Sequence, residues 1–350
     1  MQKSGSITIK EIAQLTDVHP STVSRALNGS QRVKPETRKR IEKIAAEGGY
    51  IRDSLATSLI IGKTYTIGIL VPEISSTFYS RIVDAIENGI SAEGYGIIIA
   101  ATNFQYNSEK KALNSMLSKR VDALILCAPS DQILEDCRNI RINIPIVLCD
   151  TTHEGLPFND VHINEKKGML EAVQCLTELG HRDIGFIAEE NLTGHRLDNF
   201  VMVLKKCGLT PNNDWISLKP ETGPECGYNA MRYLLDLEHI PSAVFCARDT
   251  IAIGAIRAVN EKGLRVPEFI SIIGYDDLEI SRYLLPALTT VRQSSEEIGR
   301  EVVKMLLDLI HSDPKSDRKK ENIAHTVLNP QLIVRESTTA PRKKKISGMR

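Results

Sequence analysis

From Thr66 onward, over most of a 350-residue chain, short β-branched apolar runs alternate with stretches that have the period of an amphipathic helix. The runs fall at 66–72, 97–101, 122–127, 144–149, 184–188, 243–246 and 269–274, and 79–93 and 166–179 are typical helical stretches. Apolar runs this short are strands buried on both faces. Strands separated by helices pair in parallel, because each helix carries the chain back across one face of the sheet. The pattern therefore predicts an α/β fold with parallel sheets. Its two sets of strands predict two lobes with a cleft between them, and ligands of such sheets sit outside the carboxyl ends of the strands. No run is long enough to span a bilayer, and the start, Met1-Gln2-Lys3-Ser4-Gly5-Ser6, has no apolar signal core, so the expected compartment is the cytoplasm.

The first sixty residues read differently. Thr8-Ile9-Lys10-Glu11 is a capping box, in which the Thr hydroxyl takes an orphan amide and Glu11 reaches back. Ile12, Ala13 and Leu15 give the helix that follows a buried side, and Asp17-Val18-His19 ends it after two turns. Pro20 then stands at the first turn of a second helix, where its missing amide does no harm, and Gly29 stops that helix after Asn28. Val23, Ala26 and Leu27 lie on one side of it, with Ser21, Thr22, Arg25 and Asn28 on the other. A third helix at 35–47 carries Ile41, Ile44 and Ala45 inward and ends at Gly48-Gly49. Two short helices joined by a three-residue turn, the second polar on its outer face, form a helix-turn-helix whose second member fits the major groove. Arg25 has the geometry to bond guanine O6 and N7, although a solvated surface arginine would leave the same pattern.

Charge supports the nucleic-acid reading. Residues 1–60 hold ten Lys/Arg (3, 10, 25, 32, 34, 38, 39, 40, 43, 52) and six Asp/Glu (11, 17, 36, 42, 47, 53), a surplus of four on a chain with zero net charge. The seven cysteines, at 127, 137, 149, 175, 207, 226 and 246, are scattered and form no C-x-x-C pair, which fits structural thiols in a reducing compartment. No H-E-x-x-H, G-x-S-x-G or G-x-x-x-x-G-K-[ST] motif is present, and Asp276-Asp277 are adjacent instead of opposed. Neither an enzyme nor a metal or cofactor site is expected.

Ile9-Lys10-Glu11-Ile12-Ala13, Val18, Thr22-Val23-Ser24-Arg25-Ala26-Leu27-Asn28-Gly29, Val33, Thr37-Arg38 and Gly49-Tyr50 together closely resemble the DNA-binding head of the LacI/GalR family of transcription regulators. The resemblance runs on through Val71-Pro72, Glu93-Gly94-Tyr95, residues 120–125, Leu179-Gly180-His181, residues 263–267, Gly274-Tyr275-Asp276-Asp277 and residues 288–291, covering residues 7–338. It implies a body with a periplasmic-binding-protein fold, crossed by the chain near 162, 291 and 325. The implied parts are a helix-turn-helix head at 7–50, a hinge at 51–64 and a body at 65–338. Lobe 1 of that body takes 65–162 and 292–325, lobe 2 takes 163–291 and 326–338, and a basic tail, expected to be disordered, follows at 339–350.

Site residues follow from the same resemblance. Pro20, Ser21 and Arg25 would read bases, and Thr8, His19, Thr22, Ser24 and Asn28 would touch phosphates. His19 departs from the usual capping Ser, and Pro20 can offer only apolar contact. In the hinge, Ile51-Arg52-Asp53-Ser54-Leu55-Ala56-Thr57-Ser58-Leu59 keeps the family's Ala (Ala56) and its Leu (Leu59), the minor-groove wedge, but not its Pro, Asn or second Arg. In the body, Asp150, Arg196 and Asp276 match the positions that hold effector hydroxyls, and Phe78 and Tyr79 line the pocket. Arg248, where relatives carry Asn or a small residue, and Thr222, where they place an aromatic ring, leave room for an anionic effector such as a sugar phosphate or sugar acid. The expected partners are palindromic operator DNA, a sugar or sugar derivative, and a second copy of the chain. Two rival classes share parts of this pattern. A transporter's solute-binding protein would need a signal peptide and no basic head, and a ligand-independent DNA-binding protein would need no cleft.

Overall fold

The computed structural model describes residues 7–27, 29–50, 62–140, 142–151, 156–190, 193–312 and 323–342. The chain divides into two compact units between Thr64 and Tyr65.

The first unit holds α1 (Ile9–Thr16), α2 (Pro20–Leu27) and α3 (Pro35–Glu47). The Thr8 capping box forms in full, and Asp17 ends α1 in the left-handed conformation. Ile12, Ala13, Val23, Ala26, Val33, Ile41 and Ala45 make one small core. Leu15 is not part of it and is 65% exposed, contrary to the sequence reading. On a two-turn helix the buried stripe is Ile12, Ala13 and Thr16, and Thr16 can lie inside because its hydroxyl donates to Ile12 O at 2.6 Å. Arg38 reaches across from α3 to bond Ser30 O at 2.5 Å, fixing the turn after α2.

The second unit contains two six-stranded sheets. The first has the order β11-β5-β4-β3-β1-β2, built from β1 (Thr66–Val71), β2 (Gly96–Ala101), β3 (Ala123–Cys127), β4 (Ile146–Cys149), β5 (Asn159–Ile163) and β11 (His325–Leu328), all parallel. Ile67, Ile69 and Val71 face α4 (Thr77–Ser91) and α11 (Ser295–His311), while Leu70 faces the other side with Leu113 of α5 (Tyr106–Ser118) and Ile133 of α6 (Asp131–Asn139). Both faces are thus covered, which is why these strands carry almost no polar alternation.

The second sheet has the order β12-β10-β9-β8-β6-β7: β6 (Ile184–Glu189), β7 (Ile216–Lys219), β8 (Ala243–Cys246), β9 (Ser271–Asp276), β10 (Thr289–Arg292) and β12 (Gln331–Ile333). Only the β10–β12 edge pair is antiparallel. Its helices are α7 (Glu165–Glu178), α8 (Thr193–Lys206), α9 (Gly223–Leu235) and α10 (Asp249–Glu261), around a core in which Phe186 stacks on both Phe200 and Phe245, and Phe245 meets Tyr275 at a tilt of 59°. α9 and α10 cross through paired glycines. A Cβ on Gly227 would lie 1.8 Å from Ile251 O, and one on Gly254 would lie 1.8 Å from Pro224 O.

The chain passes between the sheets three times, after Ile163, after Arg292 and after Leu328; the third passage falls later than the sequence reading placed it, because β11 pairs with β5. Residues 339–342, read from sequence as a disordered tail, are held. Buried His181 donates through Nε2 to Thr339 O at 2.8 Å, and Arg342 lies 3.6 Å over the Phe269 ring. The cysteines are all free thiols, and burial pushes Cys137 and Cys226 up to about 12, so these two stay protonated at neutral pH. Among the described residues no helix is long and apolar enough to cross a membrane.

Candidate functional site

In the head, α2 presents Ser21 and Arg25 to solvent one turn apart, with Pro20, Thr22 and Ser24 half-buried. His19 takes over the role of the capping Ser. Its Nδ1 accepts from Ser21 N at 3.3 Å and lies 2.9 Å from Ser21 Oγ, and its carbonyl accepts from Thr22 N at 2.7 Å. An acceptor at Nδ1 assigns the proton to Nε2, the neutral tautomer. The Thr8 hydroxyl is engaged by Glu11 in the capping box. Asn28 and the hinge Leu59, both expected at the DNA, lie outside the described residues.

In the body, the carboxyl ends of the two sheets approach each other. Glu73 follows β1, Phe104 follows β2 and Asp150 follows β4; across from them stand Arg248 after β8 and Asp276 at the end of β9. Strands that end by turning sharply need unusual backbone. Asp150 (φ 58°) and Asp276 (φ 116°) both have positive φ, conformations that non-glycine residues hold only where the surrounding structure enforces them.

The Tyr79 hydroxyl donates to Asp150 Oδ2 at 3.1 Å, and burial raises the Tyr79 pKa so that it stays protonated. Asp150 is pushed up to about 7. Burial is the main cause and Glu165 adds to it, while Arg196 and the Tyr79 bond pull it back. Asp276 is pushed up to about 6, again chiefly by burial, against the opposing pull of Arg196 and Arg248 and a 2.7 Å bond from Gln293 Nε2. Phe78 packs edge-on against Tyr79 inside the lobe 1 core, with 7% exposure.

Arg196 is anchored on lobe 2. Nε and Nη2 both donate to Glu165 Oε1, at 3.1 and 2.5 Å, Nη1 donates to Ala247 O at 2.8 Å, and the guanidinium stacks 4.5 Å over Tyr275. Burial alone would lower its pKa, but Glu165, Tyr275 and Asp276 more than reverse this, so it stays charged. Arg248 reaches between the lobes. Its Nη1 lies 3.3 Å from Glu73 Oε2 and 3.6 Å from Glu189 Oε2, and its guanidinium lies 5.9 Å from the centre of the Phe104 ring. The arginine that left room for an anion is therefore already engaged by two carboxylates. Thr222 is exposed at the start of α9.

Beneath Asp276, fully buried Asp249 accepts from Thr290 Oγ1 (2.5 Å), Ser281 Oγ (2.6 Å) and Leu278 N (2.8 Å). These bonds tie β10 and the 278–282 turn to the start of α10. Burial and the charge of Asp276 outweigh them and push Asp249 up to about 7. Glu73, Glu165, Glu189 and Gln293 escaped the sequence reading. One usable signal was Glu189, a carboxylate ending a strand buried along its whole length.

A basic helix-turn-helix unit on a two-lobed body with a cross-lobe polar cluster defines the ligand-responsive transcription regulators. Residues 8–53 match the lacI family of bacterial regulatory proteins, and residues 173–338 match the periplasmic binding protein-like domain. The transcriptional repressor CytR of Escherichia coli K12 is 34% identical over 339 residues, covering 95% of this chain and 96% of the relative. The repressor PurR of Pectobacterium atrosepticum is 36% identical over 340 residues, covering 94% and 96%. The structure of a Lac repressor dimer bound to operator and the anti-inducer ONPF superposes with a TM-score of 0.85 at 26% identity, over 96% of this chain and all of that one. The chain belongs to the LacI family of DNA-binding transcription regulators, whose members matched here are repressors and not enzymes.

Proposed function

We propose that this protein represses transcription in the cytoplasm by binding a palindromic operator as a homodimer, and that a sugar or sugar derivative held between the lobes controls that grip. The observation that carries the reading is the meeting of Asp150 from one lobe with Arg196 and Asp276 from the other. A ligand seated on that cluster bonds both lobes and so biases the angle between them. Pro20, Ser21 and Arg25 read bases, Thr8, His19, Thr22, Ser24 and Asn28 position the backbone, and Leu59 acts as the wedge. Two-fold symmetry of the protein calls for two-fold sites on the DNA, and the Lac repressor neighbour is itself a dimer on operator with a small molecule bound.

Coupling between the two sites is reciprocal, so operator DNA changes effector affinity by the factor by which effector changes operator affinity. The test is Arg196→Ala, assayed for operator binding with and without effector. The variant should bind operator when effector-free, if the ligand is an inducer, and lose its response. If the ligand is a corepressor, the variant should fail to repress. A variant that binds effector and responds as the wild type does removes the cleft from the mechanism.

A further inference from the structure

Among the described residues, five buried side-chain polar atoms lack a hydrogen-bond partner. Three belong to residues that touch the cleft cluster, Glu189 Oε2 beside Arg248, Gln293 Oε1 beside Asp276 and the Tyr275 hydroxyl below Arg196, and a fourth, Glu221 Oε2, lies two residues from the Gly223 whose N–H bonds Glu189. Buried polar groups almost always have a hydrogen bond, so four without one, of which only Glu189 Oε2 has an ion pair, describe what the site is built to receive. Three of the four, two carboxylate oxygens and an amide oxygen, are acceptors, and the fourth, a hydroxyl, can accept as well.

The two carboxylates sit together. Glu189 is completely buried, and its other oxygen accepts from Gly223 N at 2.7 Å. Glu221 stands two residues before that glycine, and its other oxygen accepts from Asn229 Nδ2 at 2.9 Å. Both impose their charge on the buried thiol of Cys226. The nearest cation to Glu189 Oε2 is Arg248, at a distance of 3.6 Å and shared with Glu73. Lys219, the other basic group on this side, is drawn over the Tyr233 ring. With Asp150, Glu165 and Asp276 at the other end, the cleft sets six carboxyl groups against two arginines.

An anionic effector would enter a site where carboxyl groups already outnumber arginines three to one. The hydroxyls of a neutral polyol can donate to all of these acceptors, but they bring no positive charge, and the surplus of carboxyl groups over Arg248 and Arg196 stays uncompensated. A protonated amino group supplies several N–H donors together with the missing positive charge, so its bonds to a carboxylate are ionised on both sides. We propose that the effector is an amine-bearing polyhydroxylated small molecule, its amino group received by Glu189 and Glu221 and its hydroxyls by the Asp150, Arg196 and Asp276 end. The inference rests on the cleft reading above and narrows its ligand class. It also replaces the anionic effector that the sequence left open at Arg248.

The probes are matched hexoses with one position changed: the amino sugars glucosamine, galactosamine and mannosamine, their neutral parents, and the corresponding uronates and phosphates. Titration calorimetry on the full-length protein measures affinity, and release or gain of operator is recorded in parallel. The expected result is that amine-bearing probes bind at least tenfold more tightly than their neutral parents, with no binding of acids or phosphates. Glu189→Gln, an isosteric change that keeps the acceptor for Gly223 N, should reduce the amine-to-parent ratio at least tenfold, and Glu221→Gln should reduce it at a less buried position. A folding defect would lower both affinities together and leave the ratio unchanged. Binding of an anionic or neutral probe in preference to its amine counterpart, or of no amine-bearing probe, overturns the inference. If Arg196→Ala abolishes that other binding, the cleft reading survives; if the binding is untouched by Arg196→Ala, both readings fall.

Discussion

Asp249 offers a quantitative test of how this site is held together. Its carboxylate accepts three bonds from buried donors, yet its pKa rises from an ordinary 3.8 to about 7, so desolvation outweighs the bonds. At about 1.4 kcal/mol per pH unit, keeping it ionised in the folded protein costs on the order of 4 kcal/mol. A raised carboxyl pKa means that the folded state holds a proton which the unfolded state has released. This contribution therefore weakens stability progressively as pH rises from about 4 to about 7. Asp249→Asn resembles the protonated acid. Its amide oxygen can accept from Ser281 and Leu278 N, and its amino group can donate to Thr290 Oγ1 once that hydroxyl turns. The variant should match the wild type to within about 1 kcal/mol near pH 4 and exceed it by up to about 4 kcal/mol at pH 8. Asp249→Ala strands three donors at about 1–3 kcal/mol each, so it should be destabilising near pH 4 and less so at pH 8. Urea unfolding of the isolated body at both pH values reads these differences directly. An Asn variant that is destabilised equally at both would show that desolvation of the Asp249 carboxylate does not set the pH dependence.

Arg25→Ala should lose about 1–3 kcal/mol of discrimination between operator and random DNA while nonspecific binding persists, measured by competition gel shift; equal losses in both would reduce Arg25 to a phosphate contact. His19→Ala should cost the head about 1 kcal/mol through loss of the cap at Ser21 N, and His19→Ser should recover most of it in thermal melts, an outcome that fails if the ring serves only DNA. Gly254→Ala places a methyl group 1.8 Å from Pro224 O and should cost about 3 kcal/mol or more. Because Gly227→Ala forces open the same crossing, the double variant should cost clearly less than the sum of the two, and strict additivity would mean the helices do not move as a pair.

The head was legible because its determinants are local: capping box, N1 proline and apolar stripe all lie within fifty residues, and only Leu15 misled, on a helix too short for periodicity to fix its face. The seven strands read from sequence are those with an unbroken run of apolar residues, whatever their length: β4 and β8, at four residues each, are no longer than most of the strands missed. Those missed (β5, β7, β10, β11 and β12) are interrupted by polar residues whose partners lie far along the chain. Asp160 in β5 is 1% exposed, which is tolerable only because His162 and His325 both bond it, and no local window contains that pair. The site divides in the same way. Asp150, Arg196 and Asp276 could be matched to motifs, whereas the carboxylates that engage the two arginines became meaningful only when the fold brought residues 73, 165 and 189 to them.

The three passages between the sheets also set an order of assembly. A ribosome delivers the chain from its N-terminus, and units generally fold as they emerge. Every helix of the head is complete by Glu47, but the first lobe lacks α11 and its edge strand β11 until residue 328 has been added, and the second lacks β12 until Ile333. For almost the whole of its synthesis the nascent chain carries a finished DNA reader and no finished sensor lobe. A nonsense mutation at any codon from 51 to 328 should therefore leave a head that folds without a sensor, separating at a stroke what full-length synthesis joins.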